Sequence, residues 1–173
     1  MDQYLYLLGQ ILGFVAIILG FLTFQMKSRD KLVLIQIAAT FAFVLHYLLI
    51  GAYSGMALNA VAMVRNIVFY FIGKKKPVPQ VCSILFAVLL GVMGIVSWHA
   101  WYSVFSVAGL LINSYCMSFS DPQKIRKSIL VASPLVLIYN CFVFSIGGII
   151  YESIAVISSV IGIVRTHKAD ASK

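Results

Sequence analysis

Seven runs of apolar residues, separated by short polar or glycine-bearing connections, decide what this chain can become. They cover residues 4–24, 32–50, 56–72, 80–97, 100–117, 128–146 and 149–165. A bilayer hydrocarbon core about 30 Å thick is crossed by a helix of roughly 17–25 apolar residues. Each run is therefore read as one transmembrane helix, the form that satisfies every backbone polar group where water is absent. The runs 80–97 and 100–117 are parted only by Ser97, Trp98 and His99, yet together they far exceed one span. Composition agrees with a lipid solvent. Of 173 residues, 62% are hydrophobic and 10% charged. A soluble domain is about 45–50% apolar and about 25% charged, and a chain this short cannot hide such a surplus from water.

The net charge of +8 invites a nucleic-acid reading, but its placement excludes one. Lys27, Arg29 and Lys31 follow the first run; Lys74, Lys75 and Lys76 the third; Lys124, Arg126 and Lys127 the fifth; Arg165 and Lys168 the seventh. The connections 51–55, 97–100 and 146–150 contain no Lys or Arg. Basic residues collect in the cytoplasmic loops of membrane proteins. The expectation is an external N-terminus, a cytoplasmic C-terminus, and cytoplasmic loops at 25–31, 73–79 and 118–127. Trp98, Trp101 and Tyr102 fit an outer aromatic belt. No Lys or Arg precedes the first run, Asp2 does, and no small-residue cleavage site follows, so it reads as a retained helix. Cys82, Cys116 and Cys141 all lie within runs, at spacings that match no metal motif, and read as small buried hydrophobes.

A faint repeat is visible. Lys27-x-Arg29 recurs as Lys124-x-Arg126, 97 residues later, and Gly51 meets Gly148 at the same offset. Arg65 and Arg165 pair at a slightly larger spacing. Two three-helix units of the same orientation need one linker helix between them. The expected fold is all-α and membrane-integral: two parallel three-helix repeats in a three-one-three arrangement about an axis along the membrane normal. The first repeat would occupy 1–73, the linker helix 74–98 and the second repeat 99–168. A disordered cytoplasmic tail would occupy 169–173.

The stretch Phe24-Gln25-Met26-Lys27-Ser28-Arg29, then Gln36, His46-Tyr47-Leu48-Leu49-Ile50-Gly51-Ala52, Gly55, Asn59 and Arg65, resembles the YgjV family of bacterial inner membrane proteins. More distantly the chain is similar to the three-helix-repeat superfamily of SWEET and SemiSWEET facilitators, PnuC vitamin transporters, PQ-loop proteins and the KDEL receptor. The resemblance implies the three-one-three architecture, an inner-membrane location and transport. It departs where SWEET-like proteins carry a Pro-Gln hinge. Phe24-Gln25 stands in the first half, and Pro122-Gln123 follows at an offset of 98 rather than 97.

Arg65 lies about nine residues into the third run, where an arginine costs about 2.5–3.5 kcal/mol on insertion scales. Two readings stand: a structural Arg bonded to neighbouring carbonyls, or a cavity-lining Arg whose planar fork takes an anion. Asn59 and Asn66 are seven apart and share a face, with Arg65 about 100° away. They form a candidate polar wall or, equally, interhelical glue. Gln36, Thr40 and Tyr47 form a stripe on the second helix, with His46 beside it as a candidate proton carrier or a satisfied core residue. Ser103, Ser106 and Asn113 line up on the fifth. Pro134, and more weakly Pro122, are candidate hinges, Pro134 removing a helix hydrogen bond beside Asn140. Glu152 reads as a carboxylate snorkelling at the outer end of the seventh helix, and Gly9, Gly13, Ala16 and Gly20 as a packing stripe.

No H-E-x-x-H, G-x-S-x-G or phosphate-loop motif occurs, so an enzyme, a cofactor and a metal site are not expected. The leading expectation is a transporter or facilitator of a small polar metabolite, tilted by Arg65 towards an anion. Its partners would be the lipid bilayer and that substrate. The alternative is a membrane receptor or scaffold. An enzyme acting on a metabolite in the membrane plane ranks third.

Overall fold

In a computed structural model, residues 3–25, 29–76, 78–116 and 122–171 are described, and among them there is no strand. Seven helices follow one another: α1 Gln3–Gln25, α2 Arg29–Leu49, α3 Tyr53–Gly73, α4 Gln80–Val96, α5 Ser103–Cys116, α6 Pro122–Phe142 and α7 Ile146–Ala171. Three contain spans long and apolar enough to cross a membrane, at Gln3–Leu22, Tyr53–Gly73 and Ile146–Val164. The apolar stretches Val33–Leu49, Gln80–Val96, Ser103–Tyr115 and Lys127–Phe142 are shorter. α2 and α6 begin earlier than their apolar runs, taking in Arg29 and Lys31, and Lys124, Arg126 and Lys127, residues expected in loops. α7 runs on to Ala171, so the segment expected as a tail is helical that far; residues 172 and 173 lie outside the described residues.

Six helices close a ring. α1 packs on α2, α2 on α3, α3 on α5, α5 on α6, α6 on α7 and α7 on α1, while α4 lies outside against α3 and α5. The polarity of the ring is inverted relative to a soluble protein. Its interior holds His46, Arg65, Asn66, Asn140 and a series of serines, all under a tenth exposed. Its outside is Leu, Ile, Val and Phe, as on α4, where Leu85, Val88, Val92 and Ile95 are each at least half exposed. Water would penalise so large a bare apolar surface; lipid accepts it. Cys141 belongs to this outer surface and is exposed rather than buried, and Cys82 is half-buried. The Cys116 side chain lies outside the described residues.

Two helix pairs repeat at an offset of 93. α2 and α6 begin at residues 29 and 122 and end at 49 and 142; α3 and α7 begin at 53 and 146. The turns between them match bond for bond. Ile50 N donates to His46 O and Val143 N to Tyr139 O, both at 3.1 Å. Ala52 N donates to Tyr47 O at 2.8 Å and Ser145 N to Asn140 O at 3.0 Å. Both turns pass through the left-handed region, at Gly51 (φ 75°) and Phe144 (φ 52°). Gly51 thus corresponds to Phe144, not to Gly148 as the 97-residue spacing suggested. A left-handed phenylalanine costs on the order of 1–2 kcal/mol. α1 holds it there: Tyr6 Oη and Gln10 Nε2 both donate to Phe144 O, at 3.1 and 2.8 Å, and Ile146 N donates to Gln10 Oε1 at 3.2 Å.

The small-residue stripe of α1 lets α7 approach to backbone contact. A Cβ at Gly147 would stand 2.7 Å from Gly13 Cα and 2.8 Å from its carbonyl carbon. Neither atom belongs to a flexible side chain, so the helices must part. Gly147→Leu is expected to cost at least the 1–3 kcal/mol typical of about one overpacked side chain. Its readout is a lowered melting temperature and a smaller monodisperse peak in detergent size-exclusion chromatography. An unchanged melting temperature would show that α1 and α7 are not packed this way.

Candidate functional site in the helix ring

A cavity of about 90 Å³ lies inside the ring, and every ring helix contributes to its wall. α3 supplies Asn59, Arg65 and Asn66; α2 supplies Gln36, Thr40 and Tyr47; α5 supplies Ser106 and Asn113; α6 supplies Tyr139; α7 supplies Glu152; α1 adds only Gly20. Five candidates from the sequence, Gln36, Asn59, Arg65, Asn66 and Asn113, thus share one cavity.

Their bonding is partial, which leaves capacity for a ligand. Arg65 is 2% exposed. Its Nε and Nη2 donate to Asn66 Oδ1 at 3.3 and 3.1 Å, and its Nη1 is buried with no hydrogen-bond partner among the described residues. Asn66 Nδ2 donates to Thr40 Oγ1 at 3.3 Å, and Thr40 donates to the Gln36 carbonyl at 2.7 Å. Asn59 Nδ2 spends one bond on Gly55 O, 2.9 Å away in its own helix. An orphaned buried donor costs about 1–3 kcal/mol, more when charged. An anion or carbonyl oxygen arriving at Arg65 would recover that cost.

His46 stands apart from this wall. Its Nδ1 donates to Gly9 O at 2.7 Å and its Nε2 accepts from Ser145 Oγ at 2.6 Å, tying α1, α2 and the α6–α7 turn together. Ser145 Oγ in turn accepts from Gly148 N at 3.0 Å. With both ring nitrogens committed to structure, His46 is a core histidine rather than a cavity group. Pro134 is the thirteenth residue of α6 and leaves the Leu130 carbonyl without its helical donor. Pro122 opens α6 at the first helical position, where a missing N–H costs nothing.

A polar layer roofs the cavity at the end where the 50–52 and 143–145 turns lie. Tyr47 Oη donates to Asn140 Oδ1 at 2.6 Å. Residues 47 and 140 are equivalent at the 93-residue offset, so this bond joins α2 and α6 at like positions. Gly55 N donates to Tyr139 Oη at 2.8 Å. Beyond the roof a second cavity of about 140 Å³ is lined by the three connections at that end, with Tyr139 facing both spaces.

The family model of Imp-YgjV, described as bacterial inner membrane protein, matches residues 7–170. The chain belongs to this family. Comparison with curated proteins and with solved structures gives no significant match. The apolar exterior of this Imp-YgjV chain and the inner-membrane description of its family agree.

Among the polar wall residues, Glu152, Tyr139 and Tyr151 were not read as cavity groups from the sequence. Glu152 was expected at a helix end; α7 instead begins at Ile146, three residues earlier than its apolar run. This places Glu152 seventh in its helix, where Asn59 stands in α3, and turns it into the cavity, with Ser133 within hydrogen-bonding reach. Tyr139 and Tyr151 carry no local sequence signal that sets them apart from the other aromatics. The 93-residue offset would have found Glu152, because it pairs it with Asn59.

Proposed function

We propose that this protein carries a small polar metabolite across the bacterial inner membrane by alternating access between two parallel three-helix repeats, α1–α3 and α5–α7, with α4 as linker. One observation carries the reading: guanidinium, amide, hydroxyl and carboxyl groups from both triplets converge on one cavity half-way along the helices, where a membrane protein has no structural need for so many. The positive-inside rule sets the basic helix ends in the cytoplasm and the roof of Tyr47, Tyr139 and Asn140 on the outer side. The conformation is then closed on the outer side, with the roof as its outer gate and Pro134 the place where α6 bends as that gate opens.

The alternative, a receptor or scaffold, draws on the 140 Å³ cavity at the connection end, with His99, Tyr102 and Ser103 in its wall. The deciding experiment is uptake of a labelled metabolite panel into proteoliposomes of the purified protein. Saturable uptake of a small polar compound is expected. Retention of binding at the connection end with no uptake of any panel member would favour the receptor. Orientation is tested alongside in a cysteine-free background: a cysteine at position 75 should resist a membrane-impermeant maleimide added to intact cells, and rapid labelling would reverse the topology.

A further inference from the structure

The cavity wall holds one basic and one acidic side chain that do not bond to each other. The Arg65 guanidinium bonds Asn66 and keeps Nη1 unpaired, and Glu152 has Ser133 within hydrogen-bonding reach and the Tyr47 and Tyr151 hydroxyls near it. Helix geometry explains the separation. Glu152 occupies the position of Asn59, and Arg65 lies six residues further along α3, a rise of about 9 Å. The charges are staggered along the cavity rather than apposed.

Keeping a charge in a low-dielectric interior costs several kcal/mol, on the order of what a well-made ion pair returns. A neutral polyol relieves neither group, and a simple anion or cation relieves one. A ligand carrying both charges relieves both in one event. From this juxtaposition we infer that the cavity binds a small zwitterion, its carboxylate on Arg65 and its ammonium on Glu152. The carbon chain between them would lie on the apolar part of the wall, at Phe43, Leu110 and Val136. Size agrees. A water needs roughly 10–15 Å³ of such space, so 90 Å³ suits a molecule of about six to nine heavy atoms, as in a small amino acid. The inference rests on the cavity being the substrate site.

The test is calorimetric titration of the purified protein with alanine, 4-aminobutyrate, butyrate and butylamine. At least one of the two zwitterions should bind tenfold or more tighter than both butyrate and butylamine. Glu152→Gln should shrink that ratio at least tenfold by weakening the zwitterion. If Glu152→Gln does not fold, Glu152→Asp keeps the charge, draws it back by one methylene, and should shift the preference between alanine and 4-aminobutyrate. Butyrate binding as tightly as the better zwitterion, a ratio unmoved by the Glu152 variants, or no binding by any probe would overturn the inference. The proteoliposome panel separates this failure from that of the transport reading. Uptake of an anionic or neutral metabolite without a zwitterion preference sinks the zwitterion alone; no uptake of anything sinks both.

Discussion

Arg65→Lys is expected to lower uptake per folded molecule about ten- to hundredfold while leaving expression and monodispersity near those of the parent. The size follows from the bond at stake. A hydrogen bond to a charged group is worth about 1.5–3 kcal/mol, and lysine keeps the charge while losing the planar fork that holds an oxyanion with two parallel donors. The local wiring makes the prediction specific. Arg65 spends Nε and Nη2 on Asn66 and holds Nη1 in reserve. An ammonium at the end of a flexible chain can replace the bond to Asn66 or reach the ligand, but does not hold the geometry of both. A purely structural Arg65 behaves differently: the Lys and Ala variants would lose folded yield first, and uptake per folded molecule would stay level. Full uptake by a well-folded Arg65→Ala protein would remove Arg65 from the mechanism, and the carboxylate end of the zwitterion with it.

The parts of this fold that were legible in the sequence are those that the solvent dictates. Lipid demands apolar helices, so the seven helices could be read directly, with ends displaced by up to six residues, though only three hold spans long and apolar enough to cross a membrane. The repeat was visible but its register was not, for a physical reason. On the proposed topology Lys27 and Lys124 need only lie on the cytoplasmic side, not at a fixed residue, so a basic pair can slide by a turn without cost. The 97-residue spacing records that freedom. The turns have no such freedom. They must reverse the chain between packed helices, and they recur at 93 with the same hydrogen bonds. Their sequence signal was hidden because one left-handed position is Gly51 and the other Phe144, a residue that needs Tyr6 and Gln10 to hold it there.

The candidate site divides along the same line. Arg65, Asn59 and Asn66 could be placed on one wall because an isolated polar group in an apolar helix has to turn inward. Gln36 and Asn113 follow from the same argument. Glu152 and His46 defeat it, since both are polar and both turn inward, yet only one faces the cavity. The difference is made by partners distant in sequence: Gly9 and Ser145 close around His46, and α7 starts early enough to carry Glu152 inward. Neither is written in the local pattern.

The Tyr47–Asn140 bond yields the prediction that bears most directly on mechanism. Tyr47→Phe removes the donor to Asn140 Oδ1, and Asn140 Nδ2 already has no partner among the described residues. The variant would leave the whole amide buried and unpaired in the closed roof, at a cost of about 1–3 kcal/mol. In an outward-open state the two triplets separate and water reaches Asn140, so the cost falls on the closed state alone. The open population should rise by about 5- to 150-fold, the same free energy expressed as a ratio. Ser106 gives the readout, because it lines the cavity beneath the roof and is nearly fully buried. In a background lacking Cys82, Cys116 and Cys141, a Ser106→Cys protein should react slowly with an impermeant maleimide applied from outside. Adding Tyr47→Phe should accelerate that reaction towards the same factor. If the roof is packing and not a gate, the substitution will lower the melting temperature and leave the labelling rate where it was. The contact between equivalent positions 47 and 140 would then be a seam that fixes the two triplets rather than the hinge line along which they part.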